Sequence, residues 1–500
     1  MKKLLAFLLT IVMLFSCVTF SMAKEENKDT LRIAMNKNIT SLNGMSGTAQ
    51  GFTPAYEIFD VLAALTPDMS LRPNLATKWE HVDDYTWRFT LREGVKFHDG
   101  REFTAEDAAY SINYIASINY SIKGQWATSW PPEGKVVDKY VFDIVTPQPN
   151  LKLPELLNRV PMIPNGCMEE NEDFFKTPVG TGPYKFVSWD AGVNIVLEAN
   201  PEYWDGEPAI KNLIFYIVPN AEARDIGLKS GEYDYVTGVG YDVAEEIAAE
   251  DGKYGMSLDV IESTGHSYVF YNYNSDNKFI QDVNFRKALT YAIDDDAIAE
   301  SILYGYATPS RGLSPQNVGG AVDAGGFPAQ DIAKAQELLK ACGYDGSEIK
   351  IYSNGENFVN NMEVFEVIIS MLEEAGINAK LYEVDGSQWD DIKASGSWDI
   401  ASNNLGGTYT GDSELYYTQS LVKQFWKIPE ADEMVASLYL PGITPEQREA
   451  TLKELMQFCW DQCPFLWSVD QTLLCARASN LKGVEVLPMG IYRFTYAYFE

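Results

Sequence analysis

Histidine, basic charge and long apolar runs are all scarce in this 500-residue chain, and each shortage closes off a class of function. Only His81, His98 and His266 are present. They are too far apart in sequence to suggest a zinc site or a catalytic base with partners, so each reads as structural. No GxxxxGK[ST] phosphate loop, no GxGxxG after a strand, no GxSxG elbow and no HExxH occurs. Gly180-Thr181-Gly182-Pro183-Tyr184 imitates a phosphate loop, but Pro183 removes an amide donor where phosphate needs one, so it reads as a rigid turn. Against 71 Asp+Glu there are only 39 Lys+Arg, a formal charge of −32. No basic cluster serves a nucleic-acid backbone or an anionic lipid surface, and the excess acid keeps an exported chain soluble. Adjacent carboxylates such as Asp83-Asp84 and Asp294-Asp295-Asp296 read as solvated turns and helix starts rather than acid/base pairs. No catalytic residue, metal site or cofactor is expected.

What is there begins with a leader. Met1-Lys2-Lys3, an apolar run from residue 4 to 15 and Ser21-Met22-Ala23 have the arrangement of a secretory signal peptide over residues 1–23. Its removal takes two lysines and moves the charge from −32 to −34. Leu14-Phe15-Ser16-Cys17 also resembles a lipobox, in which Cys17 carries lipid. Cleavage after Ala23 is favoured, because Phe15 and the apolar residues after Cys17 do not suit a lipoprotein tether. Both routes export the protein, to the periplasm or to a lipid anchor on the outer face of the cell membrane. No later stretch offers about 18 consecutive apolar residues, the length a spanning helix requires. Past the leader, Cys167, Cys342, Cys459, Cys463 and Cys475 allow at most two disulfides and leave one thiol free. Cys459 and Cys463 are expected on one helix face.

An apolar content of 46% and this length call for two or three domains with large cores. Residues 31–35 read as a first strand, followed by a polar, Gly-rich loop over 36–51 that contains Met45 and Ser46. YTWRFTLR at 85–92 alternates like a half-buried strand. Thr104 and Asp107 form a capping-box pattern before a helix. From about residue 349 strands and helices alternate: strand 349–353, helix 362–375 stopped by Gly376, strand 377–384, helix 388–394, strand 398–402. This βαβαβ pattern predicts a parallel or mixed sheet with ligand outside the carboxyl ends of its strands. The loops at Ser353-Asn354-Gly355 and at residues 403–407 fall at such ends.

Several segments, in order, resemble one family, the extracytoplasmic solute-binding proteins of ABC importers for dipeptides, oligopeptides and nickel (family 5). LRPNLA at 71–76 with Trp79-Glu80 resembles its "xPxLAxxWE". Residues 85–107 with Ser111 resemble "FxLRxGVKFHDGxxFTAEDVxxS". GTGPY at 180–184 with NPEYW at 200–204, VNFRKAL at 283–289 through Ile293-Asp294, and Ala333-Lys334-Ala335 to Gly343-Tyr344 complete the set. Asp295 stands where the family pattern has Arg. The resemblance implies an α/β, two-lobed periplasmic-binding-protein fold of type II, the large class with an extra subdomain in lobe one, its mixed sheets joined by two crossing strands. It places lobe one at 24–268 plus 471–500, the embedded subdomain at about 55–185 and lobe two at 269–470. The crossing strands fall at 266–273 and 466–470. It also implies a monomeric, non-enzymatic receptor that encloses a solute between closing lobes and delivers it to an ABC permease and ATPase complex. Contact with a membrane comes only through the permease or a lipid on Cys17.

Peptide-binding relatives carry "GWxxDxxDP" after a lobe-two strand, with the first Asp on the peptide ammonium. Here the stretch is NLGGTYTGDS at 404–413: Leu405 replaces Trp, Thr408 or Tyr409 takes the place of the amine-binding Asp, and Asp412-Ser413 replaces Asp-Pro. The expected ligand-lining residues are Met45, Ser46, Trp126, Tyr271, Asn354, Asn403, Asn404, Thr408, Tyr409 and Asp412. A peptide is the first expectation by family analogy. An oligosaccharide, suited to neutral amides and hydroxyls, or a cationic amine at Asp412 are the alternatives, and a secreted hydrolase is a more distant one. Alanine at Thr408, Tyr409 or Asp412 is expected to weaken binding and leave unliganded stability nearly unchanged.

Overall fold

The structure, a computed structural model, describes residues 29–45, 52–118, 126, 130–250, 252–353, 360–408, 410–421, 426 and 428–500. The leader, Cys17, Ser46, Asn354 and Tyr409 lie outside the described residues.

The chain enters through β1 (Thr30–Met35), whose apolar run suits a strand covered on both faces. A separate four-stranded antiparallel sheet follows, built from β2 (Ala76–Asp83), β3 (Thr86–Leu91), β4 (Glu133–Asp138) and β5 (Val141–Val145) in the order β2-β3-β5-β4. Helix α1 (Ala105–Ser117) packs on it and starts at the expected capping box. Three antiparallel strands return to the main sheet: β6 (Tyr184–Asp190), β7 (Asn194–Ala199) and β8 (Asn212–Ile217). A short β9 (Tyr235–Thr237) and the long β10 (Met256–Tyr271) come next.

The βαβαβ stretch forms as expected: β11 (Ile349–Ser353), α2 (Asn361–Glu374), β12 (Ala379–Glu383), α3 (Gly386–Ser395) and β13 (Ile400–Leu405), with β11 parallel to both neighbours. Gly376, at φ +90°, ends the turn after α2 in the left-handed conformation a side chain disfavours. The other boundaries move by one or two residues, and the largest shift is at the end of β13: Asn403, Asn404 and Leu405 belong to it, because β10 supplies a pairing ladder through His266. Helix α4 (Pro445–Asp461) then leads into β14 (Phe465–Ala478).

The other strands named join one 11-stranded sheet in the order β12-β11-β13-β10-β14-β9-β1-β8-β7-β6, with Thr308–Pro309 added to β14. Among the described strands, β10 and β14 alone carry the pairing from one half of it into the other. Their antiparallel ladder runs from Met256↔Ala478 to Phe270↔Phe465 and loses register between Glu262 and His266. Separate apolar cores flank that point. One gathers Leu31, Phe89, Phe142 and Leu213; the other gathers Phe285, Ile351, Ile368 and Trp467.

The GTGPY turn is a close approach of two backbones. A Cβ on Gly180 would lie 2.0 Å from the Ile58 carbonyl oxygen, and one on Gly182 2.6 Å from that of Glu57. His98 clamps the turn. Its Nδ1 accepts from Gly180 N (3.3 Å), which leaves Nε2 to donate to the Gly182 carbonyl (3.0 Å). Burial holds this imidazole neutral, its pKa lowered to about 4. Beside it, buried Asp60 accepts from Asn74 Nδ2, Thr181 Oγ1, Tyr203 OH and Trp204 Nε1 at 3.0–3.3 Å, so three of the family-like motifs meet on one carboxylate.

Two sequence expectations change. Asp295 is buried rather than solvated, with one carboxylate oxygen unpartnered. Cys463 lies beyond α4, at φ +53°, and so shares no helix face with Cys459. All five described cysteines are free thiols.

Gly180→Ala is expected to destabilise the chain by about 3 kcal/mol or more, since neither backbone yields easily. Urea unfolding checks this; an unchanged midpoint would mean that the turn relaxes away from Ile58.

Candidate functional site

The carboxyl end of β13 delivers the chain into residues 406–414, which span the gap between the two halves of the sheet. Gly407 takes φ +111° and Gly411 φ +61°, both in the left-handed region. Each also faces the other half. A Cβ on Gly407 would stand 2.5 Å from Thr264 Oγ1 and 3.2 Å from Met489 Cβ, and one on Gly411 3.5 Å from Met69 Cε. Glycine is therefore needed twice, for conformation and for approach. Gly319 ties the segment down by pairing with it, Gly319 N to Gly411 O at 2.8 Å and Ser413 N to Gly319 O at 3.0 Å. A further contact across the gap has Gly442 N donating to Asp84 Oδ1 at 3.1 Å.

Thr408 is fully buried, and its hydroxyl accepts from Thr410 N (3.3 Å) and Asp412 N (3.4 Å), which folds the segment back on itself. Asp412, 3% exposed, is paired with Arg448 in the first turn of α4. Arg448 also reaches Glu414 Oε2 at 3.2 Å, and the Tyr439 hydroxyl lies 2.7 and 2.9 Å from the Glu414 oxygens. A cation at a helix N-terminus opposes the helix dipole, and two buried carboxylates offset that here. Burial, reinforced by the Asp412 charge, pushes the Glu414 pKa up to about 7, with Arg448 and Tyr439 opposing.

Sequence reasoning did not find Arg448, Glu414, Tyr439, Met69 or Met489. An arginine 36 positions after its carboxylate leaves no periodic trace, and a lone methionine reads as core.

Of the expected site residues, the structure brings Thr408 and Asp412 together, with Asn403 and Asn404 just before them on β13. Asn403 Oδ1 accepts from Asn404 N at 2.8 Å. Asp412 meets Arg448, so its charge is already matched and it offers no free carboxylate to a cationic amine. In Asp412→Ala the buried Arg448 would keep Glu414 as its carboxylate partner but lose Asp412, so a stability cost is expected beside any loss of binding. Tyr271 sits inside the β11–β13 core, its hydroxyl donating to the Arg286 carbonyl at 3.3 Å. Met45 and Trp126 are fully buried in the core around β1 and α1. Trp126 packs edge-on to Trp130 with ring centroids 6.0 Å apart, and its Nε1 has no partner among the described residues. Thr264 Oγ1, facing Gly407, and Ser413 Oγ, within the segment itself, are likewise buried and without a partner among the described residues. Buried donors left open beside a gap between lobes suit a solute or water that completes them.

A two-lobed α/β fold joined by two long strands, with a segment poised across the gap, defines a solute-binding protein of the periplasmic type. The chain belongs to the bacterial extracellular solute-binding proteins, family 5, whose middle-region model matches residues 70–425. It is 25% identical over 476 residues to the glutathione-binding protein GsiB of Salmonella paratyphi A, covering 91% of this chain and 92% of that one. The oligopeptide-binding protein AppA of Bacillus subtilis is 25% identical over 422 residues, covering 76% and 74%. Among solved structures, the ABC transporter substrate-binding protein CtaP of Listeria monocytogenes superposes with a TM-score of 0.83 at 21% identity, covering 94% of this chain and 99% of that one. The dipeptide-binding protein of Pseudoalteromonas sp. SM9913 in complex with Met-Leu gives 0.79 at 19%, covering 94% and 100%.

Two outcomes are expected for the buried charge cluster. Arg448→Ala should cost about 3–5 kcal/mol, because it strands two buried carboxylates, and urea unfolding reads this directly. Glu414→Gln should flatten the pH dependence of stability. Folded Glu414 keeps its proton up to about pH 7, whereas the unfolded chain loses it near 4.5. The folded state therefore binds more protons in that window, and stability falls as pH rises through it. An unchanged slope of melting temperature between pH 5 and 8 in Glu414→Gln would assign the effect to other groups.

Proposed function

We propose that this chain is the solute receptor of an ABC importer, without catalytic activity of its own. It captures a solute between two lobes and presents the closed form to a membrane permease and its ATPase. The observation that carries this reading is the pair β10 and β14. Among the described strands these alone carry the pairing from one half of the sheet into the other, and on one side of them residues 406–414 reach across to Met69 and Met489. A solute that touches both lobes favours the closed form by its differential affinity, and one that touches a single lobe does not. We place the lobes at residues 24–268 plus 471–500 and at 269–470, with a subdomain at about 55–185. We take residues 1–23 as a cleaved leader, with lipid on Cys17 as the alternative route, and the receptor as a monomer.

Family membership and the relatives that bind glutathione, dipeptides or oligopeptides support a peptide as the solute. Thr408 and Asp412 then shape the segment rather than supply charge. Thr264 Oγ1, Ser413 Oγ and the amide edge of β13 are the groups that address the solute. Tyr271 and Met45 hold the walls, and Trp126 offers an indole N–H. The neutral character of these groups favours one further reading, an oligosaccharide. The Arg448 pairing of Asp412 argues against a cationic amine there.

Thermal unfolding of the mature chain with short peptides, glutathione and oligosaccharides tests this. A solute at about 100 times its dissociation constant should add about 2.7 kcal/mol of stability, and small-angle scattering should report a more compact particle. Thr408→Ala should weaken that binding by loosening the loop. Turnover of a chromogenic peptide or glycoside would overturn the receptor reading, and a shift with sugars alone would replace peptide as the solute.

A further inference from the structure

A second polar cavity lies wholly within the first lobe, with a volume of about 170 Å³. One water needs roughly 10–15 Å³ of such space, so this cavity has room for a small molecule. Its lining comes from residues 56–92, 183–205 and 493–496, none of them in the β11–β13 half, so it is separate from the gap closed by residues 406–414. In a chain with a charge of −32, three arginines, Arg72, Arg92 and Arg493, converge here.

Their partners are unequal. Arg72 is satisfied by a two-pronged pair with Glu485 at 2.9 and 3.0 Å. Arg493, 6% exposed, donates only to neutral acceptors, the Leu65 carbonyl (2.7 Å) and Asn158 Oδ1 (3.3 Å), with Glu485 no nearer than 3.9 Å. Burial and then Arg72 work against its charge, with Tyr56, Glu485 and Glu57 opposing them. Arg92 has no carboxylate partner among the described residues. Its Nε donates to the Asn74 carbonyl (3.2 Å), and its guanidinium lies flat over Trp204, 4.0 Å from the ring centroid. Trp204 is itself pinned by its bond to Asp60, so the Arg92 fork is held in place with its Nη groups uncommitted. Asp60 cannot serve these arginines, because four neutral donors already occupy it.

We propose that this cavity binds a small oxyanion, a phosphate or a short carboxylate, on the Arg92 fork with Arg493 behind it. The anion supplies acceptors to the Arg92 Nη groups, for which no partner is found among the described residues, while Arg493 adds positive charge behind it. Occupancy ties the segment at 491–496 to β3 and the turn at 203–205, so the site acts within lobe one and independently of solute capture.

Isothermal titration of the full mature chain with inorganic phosphate and, separately, with malonate, at matched chloride ionic strength, tests it. Saturable one-site binding of at least one probe is expected, weakened about tenfold or more in Arg92→Gln and less in Arg92→Lys, which keeps the charge. Phosphate alone or malonate alone identifies the anion's shape. Absence of saturable heat from both probes overturns the proposal. So does an isotherm in Arg92→Gln identical to that of the parent chain. Circular dichroism confirms that the variant is folded; if Arg92→Gln unfolds, Arg92→Lys carries the comparison, and unchanged affinity for both probes with that variant overturns the proposal as well.

Discussion

The ladder between β10 and β14 is the constraint on which the rest of the molecule depends. The ladder joins the two halves of the sheet, because β10 also pairs with β13 over residues 266–271 and β14 also pairs with β9 over residues 475–477. The ladder is interrupted between Glu262 and His266, where register is lost. A register shift of this kind bends a strand locally, and pairing resumes at fully buried His266. Burial pushes the pKa of that ring down to about 3, so it packs as a neutral aromatic against Tyr268, Tyr416 and Phe465. The Ser420 hydroxyl, 3.2 Å from His266 Nε2, is the hydrogen-bonding contact of this ring among the described residues.

The segment works because charge is settled beneath it. Arg448 binds Asp412 and Glu414 from the start of α4, and Tyr439 closes the cluster. With these carboxylates matched, Gly407 and Gly411 are left to make the close approaches to Thr264, Met489 and Met69. The same logic recurs in the first lobe, where Asp60 gathers donors from distant motifs and leaves the nearby arginines to other partners.

Much of this architecture was legible in the sequence. The βαβαβ period, the Thr104–Asp107 cap and the Gly376 stop are local signals, and local signals survive folding. The ordered motifs around residues 71–107 and 180–204 were equally readable, and the structure gives their reason: they meet on Asp60 and His98. The β13 boundary was read too short because the partner that extends it, β10, lies 130 residues earlier. Asp412 was read as a free anion because nothing in its own neighbourhood announces Arg448. The site residues that were missed are those whose role is set by a contact across the fold rather than by spacing along the chain.

The buried thiols have a consequence for life outside the cytoplasm. Cys475 lies fully buried between Tyr235 and Tyr492, and burial raises its pKa to about 11. At neutral pH only about one molecule in ten thousand carries the thiolate there, the form that attacks disulfides. Cys167 and Cys459 are buried as well, so at these three positions packing keeps the thiol away from the reactive thiolate form.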